Sequence, residues 1–181
     1  MRREPFGMVL IPLLSALTQG WCVGWASTPY DPRWELRYPR RAAWMAASGP
    51  AANFVIALLA LLFLRIGLGL DWFHPPDRIE MGLLVGAPTE GLLLLGRLLS
   101  ILLVLNVILG VFNLIPFPPL DGTAVVTLLL PEDAGLRFKE LLRSGGVGII
   151  GLLAAWWLFG RAVGPIFAVI LRLVHPEVAY G

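Results

Sequence analysis

Ten residues, NLIPFPPLDG at 113–122, place one carboxylate, Asp121, between two apolar runs. An ionised carboxylate at membrane depth costs about 2.5–3.5 kcal/mol on insertion scales, so it faces a polar cavity or the protein interior. Pro116, Pro118 and Pro119 remove backbone donors and end the preceding helix, which makes the segment before Asp121 an unwound one. Unwound backbone at that depth is tolerated only beside a cavity or packed protein. Two readings stay open on spacing alone. Asp121 is a functional carboxylate lining a cavity, or it is the N-cap of a helix that begins at Gly122. A second polar position is Asn53, which closes SGPAAN at 48–53 behind the pair Gly49-Pro50. Asn106, Gly110 and Asn113 follow at i, i+4 and i+7, on one helical face. Alone, these asparagines read as hydrogen-bonding glue between helices and Gly49 as a close-packing point. The chain has two histidines, His74 in DWFHPPD and His175 in LVHPEV, both at the edges of apolar runs. They read as interfacial residues. Its one cysteine, Cys22, permits no internal disulfide.

These groups sit in a chain built for lipid. Of 181 residues, 57% are hydrophobic and 14% charged, and the mean hydropathy is +0.79. A soluble domain carries about 25% charged residues. The expected fold is all-α, a polytopic bundle of membrane helices forming one integral membrane domain over 1–181. A net charge of +2 gives no reason to expect nucleic acid as a partner. The partner implied is the bilayer. Residues 6–26 are long enough to span, but Pro12, Gly7, Gly20 and Gly24 make them a poor regular helix. Residues 42–70 read as the cleanest span, with Pro50 as a kink point and small residues such as Ala46, Gly49, Ala57 and Ala60 on one face. Residues 91–115 form another span. A short apolar segment at 123–130 precedes PEDAGLRFKELLRSGG, a surface helix with acids early and Lys139 and Arg143 late. Residues 147–174 are broken around Gly160-Arg161 and Gly164-Pro165 and form one kinked helix or two shorter ones.

Arginine placement orients the spans. Arg33, Arg37, Arg40 and Arg41 mark the loop 27–41, and Arg137, Lys139 and Arg143 mark 131–145. The loop 71–90 has only Arg78. The positive-inside rule puts the first two in the cytoplasm and 71–90 outside. With Arg2 and Arg3 also inside, residues 6–26 dip in and return as a re-entrant segment. The expected division is 1–41 for this segment and a linker, 42–122 for the central spans, and 123–181 for the C-terminal helices.

Taken in order, GPxxN at 49–53 and NxxPxPxLDG at 113–122 resemble the site-2 protease family of intramembrane zinc metallopeptidases. EPFGMVLIPLL and GWASTPYDPRWELRYPRR upstream resemble that family's linker, so the resemblance covers roughly residues 4 to 122. It implies a multi-pass protein, expected in the plasma membrane of a prokaryote, that hydrolyses peptide bonds in or near transmembrane segments of membrane proteins. It implies that Asp121 is the third zinc ligand, that Gly122 lets the backbone turn, and that Asn53 holds substrate or stabilises an oxyanion. Gly49, Pro50, Asn113, Pro116 and Pro118 complete the motifs.

The family's HExxH helix, which supplies two histidine ligands and a general base, is absent from the 181 residues. A catalytic zinc needs three protein ligands. The expectation is therefore an N-terminally truncated member, inactive alone, with zinc in the complete enzyme but not tightly held by this chain. The alternatives are a pseudoprotease that binds transmembrane segments without cutting them, a catalytic helix supplied by another polypeptide, or a small transporter component with Asp121 lining a polar path.

Overall fold

The computed structural model describes residues 13, 34, 37–117, 120–143 and 147–177. The expected re-entrant segment, the linker before residue 37, Cys22, Pro118 and Pro119 lie outside these. By its internal contacts the chain divides into two units, Met1–Tyr38 and Pro39–Gly181.

Among the described residues five helices build the second unit: α1 Pro39–Gly69, α2 Glu90–Asn113, α3 Gly122–Leu129, α4 Glu132–Arg143 and α5 Val147–Val174. The described residues contain no strand, only two isolated bridges. Helix α1, helix α2 and the Leu153–Val174 part of α5 are long and apolar enough to cross a membrane. Their outward faces carry apolar residues, among them Trp44, Leu58 and Leu94, each about two-thirds exposed or more. A water-soluble protein would not expose so much apolar surface. This is a membrane protein.

Helix α1 runs unbroken through Pro50, and α5 runs unbroken through Pro165. The open choice over 147–174 therefore resolves to a single helix. Arg161 marks no break. Its guanidinium stacks 4.0 Å from the ring centroid of Trp157, one turn earlier.

Helices α1 and α2 pack against each other most extensively. Their seam uses small residues, as helices do where lipid leaves packing as the main attraction. Ala57, Ala60 and Leu64 of α1 meet Leu103 and Val104 of α2, and Ile170, Leu171 and Val174 of α5 close the core. Gly110 on α2 faces the ring of Phe54, which a Cβ there would meet at 2.9 Å. Asn106 spends its amide on its own helix, donating to the Leu102 carbonyl at 2.8 Å. It is not the interhelical bridge that its spacing suggested.

The connection 71–89 does more than join two spans. Asp71 takes a left-handed conformation (φ 57°), which reverses the chain after α1. The Trp72 and Phe73 amides then return to the Gly67 carbonyl at 2.9 and 3.1 Å. Phe73, Leu84 and Val85 are almost wholly buried. Phe73 enters a slot between Gly67 and Gly96, and a side chain on Gly67 would overlap its ring.

Leu84 is held at both ends. Its N–H donates to Ser100 Oγ at 3.0 Å, and Ser100 donates to the Gly96 carbonyl at 2.7 Å. Its carbonyl accepts from Nε2 of His175, which lies just past α5. Arg65 Nη1 adds a bond to the Val174 carbonyl at 3.2 Å. Three helix ends are thus tied at the side of the bundle bearing 71–89.

Candidate active site

The opposite end carries the polar motifs. Thr89 opens α2 as its N-cap, accepting from the Leu92 amide at 3.4 Å. The helix then runs to Asn113, and the backbone leaves it through tight turns. The Leu114 amide reaches the Gly110 and Val111 carbonyls, Phe117 reaches Ile115 at 2.8 Å, and Leu120 reaches Phe117 at 2.9 Å. Pro116 lies in this unwound stretch. Phe117 anchors it against Gly151 of α5, where a Cβ would stand 2.8 Å from the Phe117 ring.

The backbone then passes Gly122 back against the end of α2. A Cβ on Gly122 would collide with the Leu114 carbonyl and stand 2.5 Å from the Ile115 carbonyl oxygen. The glycine is needed for this close approach of backbone to backbone. The turn itself does not demand it, because Gly122 already belongs to α3.

Asp121 occupies the N-cap position of α3, yet its carboxylate makes no capping hydrogen bond. The N-cap reading therefore fails on geometry. The carboxylate instead points to α1. A Cβ on Gly49 would lie 3.2 Å from Asp121 Oδ2. Asn53 stands four residues on, on the same α1 face as Gly49. Gly49 is exposed, while Asn53, Asn113 and Asp121 are half-buried, so this junction is open on one side. Pro50 is buried behind it.

Polar capacity here is unspent among the described residues. The Asn53 amide forms no hydrogen bond, and the buried Thr123 hydroxyl has no partner. Burial raises the Asp121 carboxyl above its ordinary value of 3.8 by removing solvent from the charged form. A cation at the carboxylate acts in the opposite direction.

The fit to a metal is partial. Among the described residues no group of three His, Cys, Asp or Glu could hold an ion. His175 is committed to Leu84 at the far end of the bundle. His74 belongs to the 71–89 connection, where its backbone pairs with Gly86 and its ring packs against that glycine. One carboxylate does not make a zinc site. The structure thus brings Gly49 and Asp121 together, with Asn53 one turn along α1 from Gly49, and leaves both histidines away from them.

The described helices define a membrane-embedded bundle that offers an unpaired carboxylate, on unwound backbone, to a Gly-Pro helix. Residues 81–153 match the family Peptidase family M50, a stretch that includes Asn113, Pro116, Asp121 and Gly122. The chain is also 32% identical over 139 residues to "Putative zinc metalloprotease YwhC" of Bacillus subtilis (strain 168). That alignment covers 75% of this chain and 52% of the relative, so the chain spans about half the relative's length. No solved structure matches. The chain belongs to the site-2 protease family, peptidase family M50.

Proposed function

We propose that this chain forms the carboxylate-bearing half of an intramembrane zinc metalloprotease that cleaves transmembrane protein substrates in or near their membrane segments. The observation that carries the reading is the meeting of Asp121 with Gly49, which joins the two family motifs at one open junction. In this reading Asp121 is a metal ligand and Asn53 is a donor for substrate or an oxyanion. Zinc, when held, supplies an acidified water and a polarised carbonyl. In this reading the two histidine ligands of an HExxH motif, which the 181-residue sequence does not contain, come from polypeptide outside it. No step is assigned to this chain beyond presenting Asp121 and holding substrate at Asn53.

The setting we propose is a multi-pass arrangement in the plasma membrane of a prokaryote, with 71–89 outside and the Asp121 end toward the cytoplasm. Gly49 and Gly122 serve geometry in this proposal, one admitting the carboxylate and the other admitting the backbone that carries it. A second reading, a binder of transmembrane segments without cleavage, draws support from the lack of a metal-holding cluster among the described residues.

The test is metal content and cleavage of a membrane-embedded reporter. Both are measured on the protein expressed from its whole reading frame and on the 181-residue chain. The proposal expects one zinc and cleavage in the first, both lost in Asp121→Ala, and neither in the second. Zinc that survives Asp121→Ala would remove Asp121 from the ligand set. Full-length protein that captures the reporter without cutting it would establish the binder.

A further inference from the structure

A groove of about 440 Å³ runs along the lipid-facing side of the bundle where α1, α2 and α5 converge. Its walls are apolar throughout, including Phe54, Leu58 and Leu61 of α1, Val107 of α2, and Val169 and Leu173 of α5. The core side chains do not fill it, and the Asp121 junction lies beyond its Phe54 end.

Its length is informative. Along α1 its lining runs from Phe54 to Leu61, about 10 Å of helix at 1.5 Å per residue, and Arg65 stands one turn beyond. Groove and arginine together reach about 16 Å, about half of a ~30 Å hydrocarbon core, the depth of one leaflet. Its volume is within the ~300–1,000 Å³ range of small-molecule sites.

A charge stands at the outer end. Arg65 follows Leu58 and Leu61 at i+7 and i+4, so it continues the α1 face that lines the groove. Its Nη1 reaches the Val174 carbonyl, next to the lining residue Leu173. This bond fixes the guanidinium at the meeting of α1 and α5 and uses one donor of five. Arg65 is exposed and pairs with no carboxylate among the described residues. Arg172, also exposed, precedes Leu173.

We propose that this groove binds one anionic phospholipid, with an acyl chain along Phe54–Leu61 and the headgroup phosphate on Arg65. A fork of guanidinium donors matches phosphate oxygens, and because the acyl chain only exchanges lipid contacts for groove contacts, the headgroup sets which lipid is preferred. The site is independent of the zinc proposal, since it uses neither Asp121 nor Asn53.

The test uses the purified full chain in nanodiscs of phosphatidylcholine doped with phosphatidylglycerol, read by native mass spectrometry of retained lipid. Wild type should retain one phosphatidylglycerol in preference to phosphatidylcholine. Arg65→Gln should cut that preference at least about tenfold, the effect of losing one charged hydrogen bond. Arg65→Lys, which keeps the charge but not the fork, should keep part of it, which separates charge from folding. Val169→Trp, which fills the groove from its exposed side, should lower retention of both lipids. Equal retention of the two lipids, unchanged in Arg65→Gln, would overturn the proposal. So would displacement of the lipid by an apolar transmembrane peptide whose binding Val169→Trp abolishes, an outcome that makes the groove a helix-docking surface.

Discussion

Asp121 Oδ2 lies where a side chain on Gly49 would begin, 3.2 Å from the ideal Cβ position. Glycine is the residue that lets the unwound end of α2 bring a carboxylate against α1. A methyl group at 49 is tighter than an ordinary contact and must push the carboxylate by a few tenths of an ångström. Under the proposed function, Gly49→Ala is therefore expected to leave the fold intact and to lower reporter cleavage about tenfold, because a displaced ligand loses rate steeply. Reporter cleavage measured beside a thermal melt checks this. A wild-type rate in Gly49→Ala would show that the contact does not position Asp121.

Gly122→Ala meets backbone, which cannot rotate aside. The added Cβ overlaps the Leu114 carbonyl, and overpacking of this kind costs about 1–3 kcal/mol or more. The expected result is a lower melting temperature in detergent micelles, with loss of any metal bound through Asp121. An unchanged melt would mean that the Leu114–Ile115 backbone yields easily.

Ser100→Ala should destabilise by about 1–3 kcal/mol, since it strands the buried Leu84 N–H. Hydrogen exchange should accelerate first at Leu84 and then across 71–89. Exchange at Leu84 that stays slow would show another acceptor taking its place.

Gly67→Val removes the slot for Phe73. The ring must leave the space between α1 and α2, at a cost of about 1–3 kcal/mol. Phe73→Ala in the same background should recover part of the loss, because the clash then has no partner. A double mutant no better than Gly67→Val alone would place the damage elsewhere on α1.

Asp71→Gly points the other way. A non-glycine residue in the left-handed region carries a cost of about 1–2 kcal/mol, less for aspartate, and Asp71 sits there. The glycine variant should melt higher, by up to about 1 kcal/mol. A lower melt would reveal a hydrogen-bonding role for the Asp71 side chain.

The spans were legible because hydropathy and length alone decide them, and α1 and α2 start and stop within a few residues of their expected ends. Asp121 was legible as an anomaly, a charge where charge is costly. Its orientation was not, since the N-cap and cavity readings share one sequence and only the missing cap bond separates them. Asn106 misled for a related reason. Spacing shows which face a side chain is on, but not that its amide turns back to Leu102. The part least visible was 71–89. Phe73, Leu84 and Val85 follow no helical or strand period, and their burial depends on partners as far away as His175, 91 positions along the chain from Leu84.

That separation has a consequence for biosynthesis. At about 5–20 residues per second, the ribosome makes His175 roughly 5–20 s after Leu84. Once Asn113 has been made, about a third of the way into that interval, α1, α2 and their connection are complete, but the Leu84 carbonyl lacks its imidazole partner and Arg65 lacks the Val174 carbonyl. The α1–α2 hairpin must wait in the bilayer half-tied until the last helix arrives. Arrest peptides placed before and after residue 175 would time that step, and a nascent chain stalled before it should be the protease-sensitive one.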